Sequence, residues 1–151
     1  MKICFTASSG GHIDELMMLA PIMRQHDSFI FTEKTAYKPL KNEFKTITTH
    51  QINRKKKSFI IKFPLLWLIS AWVLIKERPD VIVSTGALAT YPICFMGKRL
   101  GKRIIFIESI SRVSSGTLTG KWVYSFADTF IVQWEEMLKI YPDATLGGGI
   151  F

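Results

Sequence analysis

The chain has 151 residues, 48% of them hydrophobic and 13% aromatic, with 20 Lys and Arg against 12 Asp and Glu for a net charge of +8. This length suits one domain with a real core and is too short for two, and the apolar content excludes a disordered chain. The charge points to an anionic partner: nucleic acid, an acidic membrane surface or a phosphorylated substrate.

Short runs rich in Val, Ile and Phe predict strands near 2–7, 28–32, 45–49, 80–84, 103–108 and 129–133. Helices are predicted between them near 11–25, 59–77, 90–101, 116–126 and 134–141. This alternation describes a Rossmann-like α/β fold, a doubly wound parallel sheet covered on both faces. Such sheets bind ligands outside the carboxyl ends of their strands, where strand order reverses, which singles out residues 8–12, 84–91 and 108–119.

The first strand runs into Ser8, Ser9, Gly10, Gly11 and His12, which open a helix. The spacing is not GxGxxG and no GxxxxGK[ST] occurs, so dinucleotide and P-loop chemistry both lose ground. Gly10 and Gly11 let the backbone approach a ligand, Ser8 and Ser9 offer hydroxyls and a helix cap, and His12 suits a phosphate contact or a proton acceptor. The same residues also describe a tight turn with a solvent-facing histidine. Thr85 and Gly86 form a second strand-to-helix loop, open to a ligand or an ordinary turn capped by Thr90. In the third, Glu108 stands at a strand end with Arg112 among hydroxyls. The acid suits a sugar hydroxyl or a general base and the arginine a phosphate, or the two pair with each other.

Arg54, Lys55, Lys56 and Lys57 lead into residues 58–75, the most hydrophobic stretch, interrupted by Lys62 and Pro64. We expect it not to span a bilayer. It is either a core helix or a helix whose outer face enters the bilayer surface, with Trp67 and Trp72 at the interface, and the basic run favours the second. Cys4 and Cys94 read as buried thiols, His26 and His50 as surface residues, and adjacent Glu135 and Glu136 as a helix start. No metal-ligand spacing and no DxD motif occurs, so neither a metal nor another cofactor is expected. Lys and Arg are not interleaved with aromatics on one strand face, which argues against nucleic acid. Met1 is followed at once by a strand, so we expect no signal peptide and a cytosolic domain. The apolar end, Ile150 and Phe151, is expected to dock a partner.

Taken together, SSGGH, VSTGALATYP, FIESISRVSSGTLTGKWVY, FIVQW and GGGIF resemble the PssD/CpsF-type proteins of bacterial exopolysaccharide and capsule assembly. Those are similar to the eukaryotic subunit fourteen of asparagine-linked glycosylation and to the N-terminal, acceptor half of a GT-B glycosyltransferase of the MurG type. The resemblance covers nearly the whole chain. It implies a subunit that binds a polyprenyl-pyrophosphate-linked sugar and the membrane, with a small separate partner supplying the UDP-sugar. It carries His12 and Glu108 over as catalytic residues, and Gly10, Gly11, Thr85 and Gly86 as parts of the phosphate loops. This chain departs from MurG in having Ser8 and Ser9 where MurG has glycine and threonine, and Ile107 where MurG has histidine. Peripheral attachment to the cytoplasmic face through residues 54–75 is expected in place of the eukaryotic N-terminal anchor. A non-catalytic membrane recruiter of the partner enzyme is the alternative.

Overall fold

The computed structural model describes residues 1–34 and 43–149, so Ile150 and Phe151 lie outside the described residues. Seven strands form one parallel sheet: β1 (Lys2–Ala7), β2 (Asp27–Glu33), β3 (Lys45–Thr49), β4 (Val81–Ser84), β5 (Arg103–Ile107), β6 (Thr129–Val132) and β7 (Thr145–Leu146). Their spatial order is β3-β2-β1-β4-β5-β6-β7. β1 therefore pairs with β2 on one side and β4 on the other, and the order reverses between β1 and β4.

Both faces of the central strands are buried, which is why those strands read as continuous apolar runs. Cys4, Phe29, Ile82, Ile104 and Phe106 pack on one face beneath α3 (Phe59–Glu77), α4 (Tyr91–Arg99) and α5 (Leu118–Tyr124). Ile3, Phe5, Ile30 and Val83 pack on the other face against Ile13, Leu16 and Met23 of α1 (Gly11–Met17) and α2 (Ala20–Met23). At the amino edge, buried Glu77 accepts from Lys2 Nζ at 2.8 Å and Lys45 Nζ at 2.7 Å. Those ammonium hydrogen bonds hold its carboxyl below the usual range.

Three expectations change. The helix predicted over 11–25 is broken into α1 and α2, because Pro21 has no N–H to donate and its ring crowds the carbonyl four residues back. The helix predicted over 134–141 is a short 3-10 turn, Glu135–Lys139, held by the buried Met137. β7 was not predicted, since two residues before three glycines carry no alternation to read.

Candidate functional site

The carboxyl ends of β1 and β4 meet at the reversal point, and their loops are fastened to each other. Ser8 N donates to Gly86 O at 2.8 Å, and Thr85 N donates to Thr6 O at 3.2 Å. Thr85 Oγ1 donates to His12 O at 2.8 Å, while His12 Nδ1 lies 2.9 Å from Thr85 O. A carbonyl only accepts, so Nδ1 carries the proton in that contact and the neutral ring keeps its lone pair on Nε2. Gly10 and Gly86 have φ of +86° and +91°, a region that L side chains rarely adopt. A Cβ on Gly86 would also stand 3.4 Å from the His12 ring. The structure thus brings Ser8, Gly10, Gly11, His12, Thr85 and Gly86 into one crevice.

Glu33, at the carboxyl end of β2, is the residue that sequence reasoning missed here. It is 2% exposed. Its Oε2 accepts from Ser8 Oγ and from Ser9 N at 3.2 Å, and its Oε1 accepts from Ile52 N at 2.5 Å. Ser9 Oγ also lies 3.4 Å from Oε2. The Ser8 proton is given to Glu33, which leaves that hydroxyl oxygen its lone pairs to offer. Neither serine caps α1, whose N-cap is Gly10 with no side-chain bond. Backbone N–H groups of the first turn are what the loop presents to an anion. The rule that ligands gather at carboxyl ends of strands was the available signal for Glu33, because the acid terminates its strand.

The third loop differs. Glu108 is 2% exposed and its carboxylate is consumed. It accepts from Thr117 N at 3.1 Å, Thr117 Oγ1 at 2.9 Å, Tyr141 Oη at 3.1 Å and Ser109 N at 3.1 Å. α5 closes over it so tightly that a Cβ on Gly120 would fall 2.1 Å from Oε2. Burial, then the charge of Glu108, pushes the Tyr141 phenol well above its ordinary value. In this geometry Glu108 anchors its loop, with both carboxylate oxygens engaged by neighbouring donors. Arg112 is exposed, and among the described residues it makes no ion pair with Glu108. Glu15 of α1 accepts from Ser109 Oγ at 2.7 Å and Ile110 N at 3.2 Å, tying this loop to the first one.

α3 supplies the remaining surface. Leu66, Ser70, Val73 and Glu77 face the core, while Ile61, Leu65, Leu68, Trp72 and Ile75 form an exposed stripe at spacings of three and four. Lys76 Nζ sits 4.4 Å from the Trp72 ring centroid. Arg54, Lys55, Lys56 and Lys57 are exposed just before the helix. Trp67 departs from the expectation: it turns toward α4, edge-on to Tyr91 at 6.2 Å and to Phe95 at 5.8 Å, and is not on the outer stripe. Cys4 and Cys94 are buried free thiols, and burial pushes Cys94 up to about 12. Among the described residues no cluster of His, Cys, Asp and Glu is arranged to hold a metal ion.

Residues 3–150 match the family described as "Oligosaccharide biosynthesis protein Alg14 like". The chain belongs to that family. Among its Alg14 relatives, the UDP-N-acetylglucosamine transferase subunit ALG14 of Yarrowia lipolytica is 24% identical over 97% of this chain and 80% of its own length. The Candida albicans subunit of the same name is 32% identical over 93% of this chain and 74% of its own. The human subunit is 26% identical, covering 99% and 83%. Among solved structures, Acinetobacter baumannii MurG superposes with a TM-score of 0.70 at 13% identity over 90% of this chain. The S. aureus MnaA–UDP structure gives 0.76 at 12% over 99%. This Alg14-like chain spans only 43% and 45% of those two proteins, which it resembles in fold. The architecture is accordingly the Rossmann-like fold that a single half of each of these two larger proteins also has.

Proposed function

We propose that this chain is the acceptor- and membrane-binding subunit of a two-component, UDP-sugar-dependent glycosyltransferase. The reaction adds a sugar to a polyprenyl-pyrophosphate-linked acceptor in exopolysaccharide or capsule assembly, and a separate small subunit binds the donor. The observation that carries the reading is the His12–Thr85 contact at the reversal point, in a chain of the Alg14-like family. It holds one histidine with Nε2 as its basic nitrogen beside backbone N–H groups suited to pyrophosphate. In this scheme Nε2 accepts the proton of the attacking sugar hydroxyl, Arg112 contacts phosphate, and Glu108 positions the loop that carries Arg112. The outer stripe of α3 rests on the cytoplasmic leaflet with Arg54–Lys57 against anionic headgroups, each worth about 1 kcal/mol.

A recruiter without chemistry of its own is the second reading, favoured by the way Glu108, Ser8 and Ser9 are spent on internal hydrogen bonds. Transfer of labelled sugar from UDP-sugars to a lipid-linked acceptor separates the two. The split enzyme requires activity that needs both subunits and collapses with His12→Ala. Full activity with the mutant moves the chemistry to the partner. Attachment is checked separately: replacing Lys55, Lys56 and Lys57 by Glu is expected to abolish sedimentation with anionic liposomes, and unchanged sedimentation removes the basic run from the scheme.

A further inference from the structure

Two cavities on the carboxyl side of the sheet adjoin, sharing Arg54 and Leu88. The first, about 510 Å³, lies between Ser8, Glu33 and Lys55 and is lined by apolar as well as polar groups. The second, about 550 Å³, is a groove between α3, α4 and α5 walled by Phe59, Phe63, Trp67, Tyr91 and Trp122. Each is of a size that holds an organic ligand. The groove walls are packed on one another: Phe59 on Phe63 at 5.0 Å, Tyr91 against Trp122 at 5.4 Å. An apolar slot is therefore held open in the free chain. Its charged lining groups are Arg54 and Lys121, both cations.

Phe59, Phe63 and Trp67 prolong the core-facing side of α3 toward its N-terminus, where the groove is open, so the slot lies across the helix from the exposed stripe. A helix is about 10 Å thick, so a bilayer touching the stripe does not itself fill the slot. An occupant must be apolar at one end and anionic at the other, and must reach from the aromatic walls past Arg54 to the loop that holds Ser8. We propose that this groove binds the first isoprene units of the acceptor's polyprenyl chain, with the diphosphate led past Arg54 toward the first-turn N–H groups of α1. The methyl-branched, unsaturated chain offers C–H contacts to the five aromatic side chains that line the groove. The inference rests on the acceptor-subunit reading and gives it a lipid specificity: the protein draws the head of the isoprenoid off the bilayer and lays it toward His12.

The test titrates the full chain by intrinsic tryptophan fluorescence, since Trp67 and Trp122 are reporters in the walls. Farnesyl diphosphate is expected to bind at least ten-fold more tightly than inorganic pyrophosphate or lysophosphatidylglycerol. Ser125→Phe, which narrows the groove from an exposed position, is expected to weaken farnesyl diphosphate at least ten-fold and leave pyrophosphate unchanged. Lys121→Glu tests the same groove without added bulk and is expected to weaken farnesyl diphosphate several-fold. Equal binding of farnesyl diphosphate and pyrophosphate overturns the proposal, and so does equal binding of the lysolipid, which marks a general acyl slot. Sugar transfer with the partner subunit separates this from the parent reading. Unchanged transfer to a polyprenyl acceptor by Ser125→Phe overturns the groove and leaves the enzyme. No transfer by the wild-type pair, with selective farnesyl diphosphate binding intact, overturns the enzyme and leaves the groove.

Discussion

The loop after β1 and the loop after β5 each place an ionisable side chain at the same edge of the sheet, and they treat it in opposite ways. His12 has Nδ1 fixed on Thr85 O and Nε2 uncommitted by that contact, in a half-buried ring between two glycine-bearing loops. Glu108 has both oxygens engaged by the loop it supports, under a helix that leaves no room for another atom. Residue type alone would admit both the carboxylate and the imidazole as proton acceptors. What separates them is the hydrogen-bonding capacity left after folding: some remains at the reversal point between β1 and β4, and almost none two strands away.

The largest effect that sharpens this contrast is expected at His12. In the proposed two-subunit enzyme, His12→Ala should lower kcat by about 10²–10⁴-fold while the thermal midpoint moves by no more than about 2 °C. A midpoint that falls as steeply as the rate would erase the distinction between the two loops. Glu108→Ala should behave in the reverse sense, leaving Thr117, Ser109 and Tyr141 without their acceptor. We expect a loss of about 3 kcal/mol in unfolding free energy by urea titration, with kcat per folded molecule retained. Glu108→Gln should recover part of that loss, because an amide keeps the shape but turns two N–H donors toward donors. A kcat defect in Glu108→Gln at full stability would restore the acid to the chemistry.

A smaller effect is expected at the opposite edge of the sheet, where Glu77 serves Lys2 and Lys45. Its carboxyl is depressed, so its contribution is complete above the unfolded value near 4.5 and is lost as pH falls through the folded value. Lys2 is raised by the same contact, so its share is complete below the unfolded value near 10.5 and lost as pH rises through the folded one. Glu77→Gln should cost about 1–2 kcal/mol at neutral pH, the solvent-exposed lysines limiting the loss. The difference from wild type should shrink below pH 4.5 in parallel denaturation curves.

Much of the sheet was legible because buried parallel strands advertise themselves as apolar runs, and six of the seven were read within a few residues. The crevice was legible from the reversal rule and from glycines beside Ser8 and Thr85. What escaped depended on partners distant in sequence. Glu33 looks like any acid ending a strand until Ser8, Ser9 and Ile52 converge on it. Glu108 looks reactive until Thr117 and Tyr141 close around it. Trp67 and Trp72 sit on one uniformly apolar helix, and periodicity alone cannot say which side meets α4 and which meets solvent. Pro21 was visible as a breaker, but the apolar pattern from Ile13 to Met23 runs across it.

Glu33 also joins two parts of the molecule that have been described separately. One oxygen sets the Ser8–Ser9 turn, and the other holds the N–H of Ile52, two residues before the basic run begins. A surface that grips Arg54 and its neighbours therefore pulls on the same carboxylate that shapes the floor of the crevice. The two act as arms of one lever, so the amide protons of Ser9 and Ile52 should slow together in hydrogen exchange when anionic vesicles are added. Membrane contact would then be a message delivered to the crevice as well as an address for the protein.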